Sequence, residues 1–388
     1  MKQNNTVFVA VVITACATFL ATVLGLNYLF PSLRVSSYPD TLTQIKDFIA
    51  NYAIFDFSQE DAEKGAILGY LSGLDDSYTD YWTPEEYTEL LSANEGNFTG
   101  IGIRMVSTDP VEEGLFVYRV YGNSPAEEAG VKAGDIILAI NGADVNGRAY
   151  DDVYSDFSVE LNSTIELTVR RGDETLNFNV IFKDFVQSYV DFRMIGTVGY
   201  IRIHSFRDPA IQEFDRAMAQ LTSQGATGFI FDLRNNLGGS LYTVKEILDG
   251  LIPQGEESVV VRYRDSEDVC YTASKPLTTA PMVVLINESS ASGSELMASC
   301  LRDVNGSLLI GTRSYGKGIG QTTFPLSDGS AVKMTTFYTM TKSRVNYHGI
   351  GLEPDQTVEL TEEQELYFYA LEDSEDPQLQ AALAALKK

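Results

Sequence analysis

Ser292, Lys317 and the pair Gly238-Gly239 are the residues whose types and spacing could do chemistry. Ser292 lies in Asn287-Glu288-Ser289-Ser290-Ala291-Ser292-Gly293-Ser294-Glu295-Leu296, between a strand-like run, Met282 to Ile286, and a helix-like run, Glu295 to Leu301. Four serines at a strand-to-helix turn can present one hydroxyl at a helix N-terminus. Backbone N–H groups are free there and the helix dipole favours negative charge, as a nucleophile needs. Taken alone, the stretch reads as an ordinary Ser-rich helix cap.

A nucleophilic serine needs a base. The chain has 2 histidines, His204 and His348, and neither has an acid at a suggestive spacing, so a Ser-His-Asp arrangement has little support. Lys317 stands among glycines 25 residues after Ser292 (317 − 292), enough chain to leave the turn, cross a domain and return. A lysine base must be neutral, and lowering its pKa from ≈10.4 to ~7–8 needs about 4 kcal/mol of desolvating environment. No acid lies between Gly311 and Leu326, so an apolar, Gly-rich pocket could supply it. The other reading is a surface turn with a solvated lysine. A third part is Asn235-Asn236-Leu237-Gly238-Gly239, where a strand ends in Gly-Gly before a helix and exposes N–H groups. With Gly293, the residue after the serine, Gly238 or Gly239 could form an oxyanion hole.

Other chemistries find less. A net charge of −26 leaves no Lys/Arg footprint for nucleic acid. No His/Cys/Glu cluster has metal-ligand spacing, and no phosphate-binding G-x-x-x-x-G-K-[ST] loop is present, because Gly318 follows Lys317. No metal and no cofactor are expected. Three cysteines do not make a disulfide framework; Cys270 and Cys300 could pair only if the fold joins them.

Several elements must position these residues. No charge occurs between Lys2 and Arg34, and Val7 to Phe30 is 24 mostly apolar residues. As a helix that is about 36 Å, enough for a ~30 Å hydrocarbon core. The expectation is a six-residue cytoplasmic tail, a transmembrane signal anchor over 7–30, a single-pass protein of the cell membrane, and everything later outside. Residues 31–97 read as a helical arm. From Phe98 to Asp184 the texture changes to strands with one short capped helix, and this part resembles a PDZ domain, most specifically in Gly134-Asp135-Ile136-Ile137-Leu138-Ala139-Ile140-Asn141-Gly142. The resemblance implies a carboxylate-binding loop at Phe98-Thr99-Gly100-Ile101-Gly102-Ile103, beside which a peptide C-terminus adds as a strand. Residues 185–388 alternate strand and helix and end in a helix from Pro377.

Together, Asp232-Leu233-Arg234-Asn235-Asn236-Leu237-Gly238-Gly239, Ser290-Ala291-Ser292-Gly293-Ser294-Glu295 and Gly316-Lys317-Gly318-Ile319-Gly320-Gln321 follow the PDZ-like part in that order. The chain in this respect closely resembles the carboxyl-terminal processing (tail-specific) proteases over about residues 40–388, and Gly349 to Asp355 and Pro84-Glu85-Glu86-Tyr87 fit too. The resemblance implies an α/β crotonase-like protease core, a PDZ domain ahead of it and a Ser–Lys dyad, with Ser292 as nucleophile, Lys317 as general base and Gln321 orienting the lysine. It implies protein or peptide substrates with free C-termini. A homodimer through the arm or the Pro377 helix is a further candidate, and an inactive PDZ scaffold binding C-terminal peptides is the alternative. Four positions depart from the family: Leu237 and Asp76 where Pro is usual, Gly293 for Ala, and Gly320 for Val. The two glycines are expected to loosen the site.

Overall fold

Apolar residues recur at every second position along Val198–Ile203, Gly228–Asp232 and Met282–Ile286, on both faces of the chain. Strands of this kind need cover on both sides, and the fold provides it. The computed structural model describes residues 41–94, 97–157, 159–266, 268–274, 278–340 and 342–387. They divide into two compact units, one up to Gly69 and the other from Tyr70 on.

In the first unit lie α1 (Thr41–Tyr52) and most of α2 (Gln59–Ser72), joined by a Lys46–Glu63 ion pair of 2.5 Å. The membrane anchor expected over residues 7–30 lies outside the described residues. Among those described, no helix is long and apolar enough to cross a membrane. The expected transmembrane helix, and with it the single-pass cell-membrane location, is therefore withdrawn.

The second unit opens with β1 (Asp80–Trp82) and α3 (Pro84–Asn94). Although it falls in the stretch expected as a helical arm, β1 joins a sheet far along the chain. Next comes a β-rich domain. Here β2 (Asn97–Gly100) pairs with β9 (Lys183–Val186). An antiparallel sheet runs in the order β3 (Ile103–Val106), β4 (Leu115–Val120), β5 (Ile136–Ile140), β7 (Thr164–Arg171), β8 (Glu174–Ile181), with β6 (Ala143–Asp144) on β5. Two short helices, α4 (Pro125–Ala129) and α5 (Tyr150–Ser155), complete it, and Ile137, Leu167, Val169 and Val153 are among its fully buried residues.

The remaining chain forms the larger core. Its sheet has the order β10 (Val190–Ile195), β11 (Val198–Ile203), β12 (Gly228–Asp232), β15 (Met282–Ile286), β16 (Leu308–Gly311), β19 (Gln356–Thr357), parallel except for the β10 edge. One face, with Ile201, Phe231 and Val284, packs on α6 (Pro209–Ser223), α7 (Leu241–Asp249) and α8 (Gly293–Asn305). The other, with Tyr200, Ile230 and Leu285, packs on α10 (Pro377–Ala385) through Leu379 and Ala382; the short α9 (Glu362–Leu366) precedes it. The apolar face of the Pro377 helix, offered above for dimerisation, is thus spent on this chain's own sheet. A second sheet runs β1–β18 (Ala331–Met340)–β13 (Glu257–Tyr263)–β14 (Val269–Thr272), with β17 (Ile319–Pro325) also on β18. Cys300 on α8 is free and buried.

Arg234 locks α10 to the sheet. It is 1% exposed and donates to Asp232 (Nε–Oδ1, 2.9 Å) and to Asp376 (Nη2–Oδ2, 2.7 Å). Asp376 in turn caps α10 by accepting from the N–H groups of Gln378 and Leu379. Burial would raise the Asp232 carboxyl, but the Arg234 and Arg202 charges overcome it and hold the group far below the usual carboxylate range. Arg234→Leu leaves two buried carboxylates short of their partner. It should destabilise the protein by about 3–5 kcal/mol, read as a lower urea midpoint; an unchanged midpoint would contradict the lock.

Candidate active site

Glu295 lies on the first turn of α8, three residues after Ser292, and is fully buried. Its carboxylate accepts four hydrogen bonds. Oε1 takes Ser314 Oγ at 2.5 Å and the Gly316 N–H at 2.7 Å; Oε2 takes the Ser292 N–H at 2.9 Å and the Lys317 N–H at 2.7 Å. One oxygen therefore fixes the backbone at both the serine and the lysine, across 25 residues of chain. The Lys317 loop is held from its far side as well. The Leu352 N–H donates to Ser314 Oγ at 2.7 Å and the Gly349 N–H to the Gly316 carbonyl at 2.8 Å.

Ser292 itself is half-buried, at φ 54° and ψ −110°. A left-handed φ is costly for a residue with a Cβ and persists only where its surroundings impose it, as at reactive turns. Two turns hold it. Asn287 Oδ1 accepts the Asn235 N–H at 2.9 Å, Asn287 Nδ2 donates to Asn235 Oδ1 at 2.9 Å, and the Asn236 carbonyl accepts the Ala291 N–H at 3.0 Å. Gly238, at φ 101°, presses on Ser292 so closely that a Cβ there would stand 2.9 Å from Ser292 Cβ and 2.7 Å from the Ala291 carbonyl. Only glycine fits.

The two glycines of that turn are not equivalent. The Gly238 N–H is taken by Asn236 Oδ1 at 2.8 Å. The Gly239 N–H has no partner among the described residues, and neither has that of Gly293 at the start of α8. They are neighbours: a Cβ on Gly293 would lie 3.4 Å from Gly239 N. Two free donors meet beside Ser292, and Gly238 is not one of them.

Lys317 is half-buried, and burial together with the Lys333 charge pushes its ammonium below the ordinary lysine value, against a smaller opposing pull from Asp76. Its Nζ sits 4.3 Å from the centroid of the Tyr78 ring. Neither Ser292 Oγ nor Gln321 hydrogen-bonds to it; Gln321 Nε2 donates to Thr335 Oγ1 at 3.0 Å instead. Sequence reasoning missed Tyr78 and the structural part of Asp76. Asp76 accepts from the Tyr78 N–H at 3.0 Å and Thr79 Oγ1 at 2.7 Å, an Asx-type turn that bends the chain where Pro is usual. It also missed His204–Asp191 (2.6 Å), which the antiparallel β10–β11 pairing brings together. Glu295 was visible only as a first-turn acid.

Of the stretch Phe98–Ile103 expected as a loop, Phe98–Gly100 belong to β2, Ile103 opens β3, and Ile101 and Gly102 connect the two. The carbonyls of Ile101 and Gly102 accept from the Ala126 and Tyr121 N–H groups, while the N–H groups of Ile101 and Gly102 have no partner among the described residues. This loop and Gly238-Gly239 line one cavity of about 810 Å³.

Residues 197–358 match Peptidase family S41, and residues 99–182 match the PDZ domain. A Staphylococcus aureus protein named Probable CtpA-like serine protease is 30% identical over 370 residues, covering 92% of this chain and 74% of that protein. The Carboxyl-terminal-processing protease of Synechocystis sp. is 33% identical over 328 residues, covering 83% of this chain and 76% of that one. The chain belongs to the carboxyl-terminal-processing proteases. Among solved structures, the photosystem II D1 C-terminal processing protease aligns at a TM-score of 0.51 with 26% identity, over 82% of this chain and 86% of that chain. A candidate S41 protease from Bacteroides fragilis aligns at 0.64 with 19% identity, over 91% and 98%, a likeness of fold alone. This protease is therefore a serine-type endopeptidase with a PDZ domain, acting on peptide or protein substrates. The inactive-scaffold alternative falls.

The departure at Gly320 does not loosen this protease. Space that a side chain would fill is occupied by Phe337, whose Cε2 would stand 2.1 Å from a Cβ on Gly320. Gly320→Val should cost about 1–3 kcal/mol by overpacking, and adding Phe337→Ala should recover part of it in thermal melts. Glu295→Gln turns one acceptor oxygen into a donor facing N–H groups. We expect kcat to fall by about a hundredfold, the scale of a small misplacement of reacting groups, with the fold retained by circular dichroism. Unchanged kcat would mean Ser292 and Lys317 are positioned without it.

Proposed function

We propose that Ser292 is the nucleophile and Lys317 the general base of a Ser–Lys dyad that cleaves substrates near their C-termini. The observation that carries this reading is the shared Glu295 oxygen, which binds the backbone of both residues beside two free N–H donors. Ser292 Oγ attacks the scissile carbonyl carbon as neutral Lys317 Nζ takes its proton. The carbonyl oxygen gathers negative charge against the Gly293 and Gly239 N–H groups. Collapse breaks the C–N bond, and Lys317 returns the proton to the leaving amine. Water then attacks the acyl-serine by the same route and restores the hydroxyl.

In the resting geometry the lysine sits over Tyr78 and Gln321 over Thr335. Turning Nζ from the ring towards Ser292 would assemble the dyad, with Gln321 leaving Thr335 to steady it. Catalytic hydrogen bonds that tighten only on substrate binding are ordinary in ligand-free enzymes. The free N–H groups of Ile101 and Gly102 would hold a substrate's terminal carboxylate in the PDZ domain. The shared cavity would then carry the tail towards Ser292.

Ser292→Ala and Lys317→Ala should each lower kcat/KM by a factor on the order of 10⁴ or more, measured by mass spectrometry of an unstructured peptide. Near-wild-type cleavage by either variant would sink the dyad. Because the neutral lysine is the active form, cleavage should rise with pH through the Lys317 pKa, below the ordinary lysine range. Lys333 disfavours the protonated form, so Lys333→Gln should move the acid limb of the profile to higher pH. Asp76 favours it, so Asp76→Asn should move that limb to lower pH. A limb that moves down in Lys333→Gln and up in Asp76→Asn, or that moves in neither, would exclude Lys317 as the titrating base.

A further inference from the structure

In a chain with a net charge of −26, the cavity joining the PDZ loop to Gly238-Gly239 has no Asp or Glu in its lining. It has three arginines, Arg104, Arg119 and Arg207. Among the described residues none of the three is paired with a carboxylate. Arg104 and Arg119 rest on aromatic rings instead, with the Arg119 guanidinium 4.6 Å from the centroid of Tyr121 and 5.0 Å from that of Tyr369. Arg119 Nη2 is buried and has no hydrogen-bond partner among the described residues. Leaving a guanidinium N–H buried and unpaired is costly, so a shift of Arg119 that brought it onto a carboxylate would be favourable. His204, also in the lining, adds no charge near neutral pH. Burial, helped by the Arg119 charge, pushes it down to about 4 while it stays bonded to Asp191. Two acids bonded to lining residues, Asp191 and Glu213, are engaged by His204 and by the N–H groups of Tyr189 and Val190.

We propose that this cavity selects acidic substrate tails, with Arg119 and Arg207 binding an Asp or Glu side chain of the segment between the substrate's C-terminus and its scissile bond. This rests on the reading that the tail runs from the Phe98–Ile103 loop to Ser292. The chemistry fits. Guanidinium groups bind carboxylates through paired, charge-assisted hydrogen bonds, and a low-dielectric wall of Tyr121, Phe157, Phe182 and Tyr189 strengthens them. An acid-free lining in an acidic protein also focuses the local field, so acidic tails would be drawn in against the overall repulsion. Arg119 and Arg207 are specificity residues in this scheme, because they touch the substrate away from the reacting bond.

The test uses the full chain and one unstructured peptide in four forms. Asp and Glu in the last six residues are kept or changed to Asn and Gln, each with a free C-terminal acid or an amide. The expected result is kcat/KM about tenfold higher for the acidic tail at fixed terminus, the scale of one charge-assisted hydrogen bond. The gain should lie mainly in KM, as expected for binding remote from the bond broken, and should shrink as salt rises from 0.05 to 0.5 M, roughly tripling the screening. Arg119→Gln should erase the acidic preference. Arg207→Gln, which does not disturb the Tyr121 and Tyr369 stack, should reduce it. Equal kcat/KM for acidic and amidated-side-chain tails in the wild type overturns the proposal, and so does a preference that both variants retain. A preference that follows only the terminal carboxylate also overturns it, assigning the recognition to the loop N–H groups. In all of these cases cleavage that disappears in Ser292→Ala leaves the dyad intact, whereas cleavage of every form by Ser292→Ala would bring down the dyad instead.

Discussion

A carboxylate buried without a cation beside it survives only if donors surround it. Glu295 is in that position, and all of its donors come from the reactive turn and from the Lys317 loop. The serine turn and the lysine loop therefore cannot drift apart without stranding a buried charge. Holding both backbones at one carboxylate costs no side-chain freedom at Ser292 or Lys317. The geometry of the site is thus fixed at the main chain, while the side chains of Ser292 and Lys317 remain able to move. That separation agrees with a lysine found over Tyr78 and not against the serine.

The same economy recurs one layer out. Asp232 ends the strand that leads into the Gly238-Gly239 turn, and Arg234, two residues on, binds Asp376 at the start of the last helix. The buried ion network lies at the point where sheet, Gly-Gly turn and C-terminal helix meet. Buried pairs of this kind are weak sources of net stability but strong sources of register, since a shifted partner leaves a bare charge. Here the register being kept is that of Asn235 and Asn236, which clamp the serine turn from the other side.

Much of this was legible in the residues. The strands Gly228–Asp232 and Met282–Ile286 and the helix from Pro209 follow from unbroken apolar runs, from 3.6-residue periodicity and from Pro at the helix start. The Gly-Gly turn, the serine turn and the glycine-flanked lysine were readable because close backbone approach demands glycine. What was not legible is contact across sequence distance. Nothing near residue 76 or 78 points to a lysine some 240 residues on, and the strand Asp80–Trp82 gives no sign that its partner is Ala331–Lys333. Asp191 and His204 lack a motif because a strand register, not a spacing rule, brings them together. The apolar run at residues 7–30 shows the opposite failure: composition suggested a span, and among the described residues no helix supplies one.

Two departures from the family show why single positions are poor guides to looseness. Gly320 lacks a side chain, but the Phe337 ring fills the space that one would take. At residue 76, where the resemblance leads one to expect Pro, side-chain hydrogen bonds to Tyr78 and Thr79 shape the turn. The turn is kept, and a charge is added next to Lys317. Proline could never exert that pull. Asp76 therefore opposes burial and Lys333 at Lys317, and the latter two outweigh it.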